Sequence, residues 1–238
     1  MPYFLSTENL ELDKESLVSG EEARHISLSH RIKNGEKIKL QGKNGKRFLA
    51  QVLAADKKSL KVKTLEQLDV PAESKVKITL FQSIVSEKAL DFIFQKGTEL
   101  GVSKIVLFNS ANTATKLSQE IFKDKLERWN KILSEAAKQS ERSVCPELVF
   151  SKDVSSVVEL MDQEKVFLAD ANGQKISQIK FTAKTIGFIV GPEGGFTEQE
   201  INIFKSLPNS QAILLSNFVL RSETAAISGL AVLQNLNS

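Results

Sequence analysis

The rhythm of polar and apolar positions changes once along this chain. In its first part they alternate: Glu36 to Leu40, Arg47 to Leu53 and Ser59 to Leu65 each read as a short strand with one buried face. Turn residues separate these runs at Lys43-Asn44-Gly45 and at Asp56-Lys57-Lys58. Short strands so spaced predict a small barrel or sandwich. Asp69-Val70-Pro71-Ala72-Glu73-Ser74 breaks the pattern and reads as a linker, which predicts domains over 1–70 and 75–238.

Beyond the linker, strands alternate with helices. Val76 to Phe81 reads as a strand, and Ser86 then caps a helix with Leu90, Ile93, Phe94, Gly97 and Leu100 on one face. Lys104 to Phe108 is a second strand. A long helix is predicted from Ser118 to about Ser140, burying Ile121, Phe122, Trp129, Ile132, Leu133 and Ala136. Further strands are predicted at Lys165–Ala169, Thr185–Val190 and Gln211–Leu215. This alternation predicts an α/β fold, a parallel sheet with helices on both faces. The last helix, Ser222 to Leu236, is apolar almost all round. Such a helix needs cover on every side, which predicts a homodimer.

Composition is that of a globular protein, and 238 residues suffice for two cores. A single cysteine, Cys145, excludes an internal disulfide and a cysteine-rich metal site, so no metal is expected. Met1 to Leu5 has neither the basic start nor the apolar core of a signal peptide. No run approaches the roughly 18 apolar residues of a membrane span. Together these predict a cytoplasmic protein with no membrane partner. Charge is uneven: between Arg31 and Lys63 eleven bases face two acids, a net of +9 in a chain of net +3. A basic module on a mildly acidic body points to a polyanion, most simply nucleic acid.

Two loops at strand ends carry the candidate chemistry. In the first, the strand ending at Val190 runs into Gly191-Pro192-Glu193-Gly194-Gly195, and Thr197-x-x-Glu200 opens a helix as a capping box. A phosphate cradle offers backbone N–H groups to negative charge, and a carboxylate within it repels its own ligand. Glu193 therefore predicts a ligand without phosphates or one bearing positive charge. The dinucleotide spacing G-x-G-x-x-G is also absent. The second loop, Leu215 to Ala225, places Arg221 and Glu223 at the mouth of the apolar helix, where burial without partners is costly. Both loops lie at carboxyl ends of strands, where open α/β sheets bind ligands.

Gly191-Pro192-Glu193-Gly194-Gly195, followed by Leu215-x-x-x-Val219-Leu220-Arg221-x-Glu223-Thr224-Ala225, resembles the ribosomal RNA small subunit methyltransferase E family of knotted SPOUT enzymes. His25, Arg31 and Gly35 are similar to its amino-terminal signature, and Gln95-Lys96-x-x-Glu99-Leu100-Gly101-Val102 to its first-helix motif. Gln139-Ser140-x-Arg142 with Pro146 resembles a further segment. Four positions depart from the usual pattern. Tyr3 stands in a start that usually carries arginine, Glu141 and Ser216 replace glycines, and Phe218 lies where arginine or lysine is common.

The resemblance implies a PUA-like RNA-binding β-barrel followed by a trefoil-knot domain. It implies a homodimer that uses S-adenosylmethionine (SAM) to methylate N3 of one uridine in the decoding region of 16S rRNA, in the small ribosomal subunit. The SAM pocket is implied at Leu168, Ala169 and Asp170, at Gly191, Pro192, Glu193, Gly194 and Gly195, and at Leu215, Ser216, Asn217, Val219, Leu220 and Thr224. SAM carries a sulfonium and no phosphate, which agrees with the reading of Glu193. Arg221 is the first candidate to stabilise the uracil anion, with Arg142 and Arg31 as others; arginine stays protonated and cannot be the base. Glu223 is expected to orient Arg221 through a bidentate pair or to take the proton. His25 and His30 read as surface residues. Arg31 and the cluster Lys43, Lys46 and Arg47 are expected to contact RNA phosphates. A SPOUT enzyme acting on tRNA or large-subunit RNA, and a non-catalytic RNA-binding protein, are the competing readings.

Overall fold

The computed structural model describes residues 3–20, 23–24, 26, 32–56 and 58–236. His25, His30, Arg31 and Lys57 lie outside the described residues. The chain divides into two units, Met1–Ala72 with Ala137–Ser143, and Glu73–Ala136 with Val144–Ser238.

The first unit is a five-stranded sheet built from β1 (Tyr3–Leu5), β2 (Glu15–Ser19), β3 (Lys37–Gln41), β4 (Arg47–Ala55) and β5 (Ser59–Leu68), in the order β1-β3-β4-β5-β2. All neighbours are antiparallel except β1 with β3. Alternation does what the sequence predicts. Ile38 and Leu40, Phe48, Ala50 and Val52, and Leu60 and Val62 fill one core with Phe4, Leu10 and Val18. Two register shifts between β4 and β5, at Leu49/Ala50 and Val52/Ala54, bend the longest pair.

The second unit holds six parallel strands: β6 (Lys77–Ser83), β7 (Lys104–Phe108), β8 (Glu147–Ser151), β9 (Lys165–Lys175), β10 (Thr185–Val190) and β11 (Ser210–Leu214). Their order is β11-β9-β10-β6-β7-β8. The chain thus leaves β6 toward one edge through β7 and β8, then fills the other side. The seam between β6 and β10 is the point where strand order reverses. The helices are α1 (Glu87–Glu99), α2 (Gln119–Gln139), α3 (Val154–Val158), α4 (Glu198–Lys205) and α5 (Ser222–Leu236).

Ser86 caps α1 by accepting from the Ala89 N–H, and Leu90, Ile93, Phe94 and Gly97 are buried as expected. In α2, Phe122, Trp129, Leu133 and Ala136 are buried, but Ile121 is 43% exposed. Its side chain opens onto a cavity rather than the core. Helix α5 buries Ala226, Gly229, Leu230 and Leu233 within its own unit. A Cβ on Gly229 would lie 2.2 Å from the Phe188 ring, so glycine sets how closely α5 approaches β10. Ile227 and Ala231 stay partly exposed on its other side. No helix among the described residues is long and apolar enough to cross a membrane, and none of their His, Cys, Asp and Glu side chains form a group of three that could hold a metal.

Candidate active site

The ladder between β9 and β11 contains the feature that opens the first cleft. Ala212 pairs with Leu168, but the next residue, Ile213, pairs with Gln174, so 169–173 have no partner in that ladder. Gly173 permits the return, because a Cβ there would lie 2.5 Å from the backbone of Ile213. The excursion and the loop after β11 enclose a cleft of about 350 Å³. Ala169, Asp170, Leu215, Ser216, Asn217, Val219 and Leu220, all expected at the ligand site, line it. Phe218 and Ala225, within the second loop, line it too, as do Ala171, Ile213 and Leu214, which were not anticipated.

Asp170 lines the cleft, while its carboxylate is engaged by neighbours. It forms an ion pair with Lys205 of α4 at 2.8 Å and accepts the Asn172 N–H at 2.9 Å. Burial opposes its charge, but the Lys205 and Asn172 contacts outweigh burial and hold the carboxyl below its usual range. Leu168 is fully buried in the core and does not reach the cleft. Thr224 is exposed and also absent from its lining; its carbonyl accepts from Ser228 Oγ.

The glycine turn is shaped as the sequence predicts, but it is not part of this cleft's lining. Gly195 takes φ +69 and donates its N–H to the Pro192 carbonyl at 3.0 Å. Asn112 clamps the turn by donating to the carbonyls of Gly194 and Gly195, and a Cβ on Gly194 would crowd Asn112 at 3.2 Å. The capping box is complete, with Thr197 and Glu200 bonded reciprocally. Ser222 Oγ donates to the Gly191 carbonyl at 2.6 Å and receives the Gln82 side-chain amide at 2.9 Å. The two motif loops are therefore joined, and the glycine turn supports the cleft from its flank. Glu193 instead lines a neighbouring cavity of about 460 Å³, where its Oε1 accepts the Ser86 N–H at 3.3 Å.

Three further expectations need correction. Among the described residues no ion pair joins Arg221 to Glu223. Arg221 immediately precedes α5 and Glu223 is its second residue, and side chains two positions apart there do not face each other. Arg221, just before α5, is exposed, and Glu223, in its first turn, is half-buried. Second, Lys43 and Lys46 are exposed, but Arg47 is 1% exposed and cannot meet a phosphate. Its guanidinium lies 3.9 Å above the Tyr3 ring, donates to Gln41 Oε1 at 2.9 Å and to the Glu141 carbonyl at 3.2 Å, and approaches the Glu141 carboxylate at 3.6 Å. Third, Arg142 is also buried, and its carbonyl accepts the Tyr3 hydroxyl at 2.5 Å.

Tyr3 and Glu141, two departures from the family pattern, thus meet around one arginine. Glu141 keeps the left-handed backbone a glycine would favour, φ +58. Hydrogen bonding from Lys39 at 2.6 Å holds its carboxyl low against the opposing effect of burial, assisted by the charges of Lys39 and Arg47.

Residues 72–234 match the RNA methyltransferase domain family, and residues 18–65 the RNA methyltransferase PUA domain. The ribosomal RNA small subunit methyltransferase E of Aquifex aeolicus is 32% identical over 80% of this chain and 82% of its own length. The enzyme of that name from Bacillus subtilis is 29% identical over 91% and 88%. A crystal structure of the Neisseria gonorrhoeae ribosomal RNA small subunit methyltransferase E bound to S-adenosyl methionine superposes with a TM-score of 0.85 at 31% identity, covering 99% of this chain and 98% of that one. With this fold, these loops and these relatives, the chain belongs to the ribosomal RNA small subunit methyltransferase E family.

Proposed function

We propose that this protein transfers a methyl group from SAM to N3 of a uridine in the decoding region of 16S rRNA, within the small ribosomal subunit in the cytoplasm. The observation that carries the reading is the 350 Å³ cleft between the β9 excursion and the loop 215–220. Its walls suit SAM. Ala169, Ile213, Leu215, Leu220 and Ala225 give an adenosyl group apolar cover, and the irregular backbone of both segments offers hydrogen-bonding groups outside the strand ladder. The Neisseria gonorrhoeae relative was crystallised with SAM bound. When bound, SAM supplies an electrophilic methyl group on a sulfonium.

The chain's own residues position the base and stabilise its charge. Loss of the N3 proton spreads negative charge over O2 and O4, and the role of stabilising it goes to Arg221, a reading supported by its exposure next to the cleft-lining Leu220. Arg31 remains proposed for substrate contact. Glu223 acts in the first turn of α5, where a carboxylate favours the helix N-terminus. The 1–70 module, with Lys43 and Lys46 exposed at one turn, binds RNA backbone. The trefoil knot and the homodimer belong to the same proposal. Phe218 and Val219, 83% and 97% exposed, and the uncovered side of α5 support a second copy.

The test is methyl transfer from labelled SAM to small subunits that lack the modification, with the nucleoside identified by mass spectrometry. N3-methyluridine in 16S rRNA is the expected product. A different nucleoside, or acceptance by tRNA or large subunits instead, overturns the assignment.

A further inference from the structure

The cavity lined by Glu193 lies at the seam between β6 and β10, where strand order reverses. Ligands of open α/β sheets collect at such a crevice, beyond the carboxyl ends of the strands. Ile84 and Val85 follow β6 directly and, with Leu90 and Trp129, give the cavity apolar walls of the kind that hold a planar base. Lys116 lines it and also lines a neighbouring cavity over β7 and β8, beside Ser118 and Lys152.

Two carboxylates line this cavity, Glu87 and Glu193, and Glu87 is already engaged by Lys125 at 2.9 Å and Arg128 at 3.0 Å. Glu193 Oε1 is fixed on the N-cap residue of α1 by the Ser86 N–H, and no Lys or Arg among the described residues pairs with it. It therefore keeps acceptor capacity for a ligand. Uracil presents an N–H at position 3, whereas cytosine presents a lone pair there that a carboxylate repels.

We propose that this cavity receives the target uracil and that Glu193 takes the proton from N3. The inference rests on the methyltransferase reading above and adds to it the acceptor site and the base. The N3 proton passes to the Glu193 carboxylate, and the N3 electron pair forms the new N–C bond. The electrons of the broken S–C bond stay on sulfur and cancel its positive charge, and Glu193 then returns the proton to solvent. Lys116, shared by both cavities, meets the phosphate of the same nucleotide, and the neighbouring cavity takes the next one.

Trp129 is the single tryptophan of the chain, so its fluorescence reports on this cavity alone. The probe is a single-stranded RNA of decoding-region sequence, with either uridine or cytidine at the target position, titrated into the full chain with SAM present. The uridine RNA is expected to change Trp129 emission saturably and to bind at least about fivefold tighter than the cytidine RNA. Glu193→Gln should bring that preference below twofold and lower methyl transfer about 100-fold or more, while SAM affinity by calorimetry holds. Glu193→Asp should restore part of both the preference and the transfer.

Unchanged Trp129 emission, with an RNA that anisotropy shows to be bound and that becomes methylated, overturns the cavity assignment. Wild-type transfer by Glu193→Gln overturns the proton acceptor. A wild-type chain that neither binds SAM nor methylates any RNA overturns the methyltransferase reading itself, which is a separate result.

Discussion

The Ser222 hydroxyl donates to the Gly191 carbonyl, and this bond joins the start of α5 to the turn after β10. Gln82, at the end of β6, completes the chain of contacts by donating to Ser222. Ser222→Ala leaves a carbonyl and an amide short of a partner. The expected cost is about 1 kcal/mol in stability, with SAM affinity falling several-fold as the cleft loses its flanking support. Calorimetric titration and thermal unfolding check both; unchanged SAM affinity would show that the turn does not brace the cleft.

Arg221 and Glu223 are expected to separate. Arg221→Ala should bind SAM normally yet lose about 100-fold or more in methyl transfer, as when a charge-stabilising donor is removed. Glu223→Gln should cost no more than about tenfold, because its carboxylate serves the helix terminus and pairs with no arginine among the described residues. Single-turnover rates with small subunits distinguish the two. Equal losses would restore Glu223 to the chemistry.

Glu141 combines a strained backbone with favourable charge contacts. Glu141→Ala keeps the strain and loses the carboxylate; Glu141→Gly loses the carboxylate but relieves the strain. Glycine is therefore expected to be the more stable variant by about 1 kcal/mol in denaturant unfolding. Reversal of that order would show that the left-handed conformation is not retained.

The Asp170–Lys205 pair predicts a pH dependence. The folded protein holds the Asp170 carboxyl below its unfolded value, so its stabilising contribution is complete above about pH 4 and is lost as pH falls through the lower, folded value. Lys205→Met should be less stable than wild type at pH 7, and the difference should shrink below about pH 4. Thermal melts across pH 2.5 to 7 measure it. A constant difference would mean that Lys205 acts on stability through packing alone.

Continuous apolar runs made the central strands legible. Lys104–Phe108 and Thr185–Val190 lie where the sequence predicts because both faces are covered, and nothing polar interrupts them. Strand β8 was missed, since only Leu148, Val149 and Phe150 stand between polar flanks. Strand β9 runs to Lys175 through polar residues that pair with β11 without filling a core, so hydrophobicity stops short of it. At the candidate site, the motif residues indicated both loops but not their partition between two cavities. That partition depends on a register jump and on Asn112, which no local pattern marks. Arg47 was misread for a related reason. Beside Lys43 and Lys46 it looks like part of a basic turn, and the residues that cover it, Tyr3 and Glu141, lie far along the chain in both directions.

The excursion of 169–173 converts chain length into pocket size. The ladder is pinned on one side by Leu168 with Ala212 and resumes on the other at Gln174 with Ile213. An added or deleted residue inside the arc leaves the flanking strands in register, whereas a residue gained elsewhere in β9 would turn its side chains to the opposite face. Ligand preference in this sheet is therefore adjustable by insertions and deletions at one site, without any change to the core that supports it.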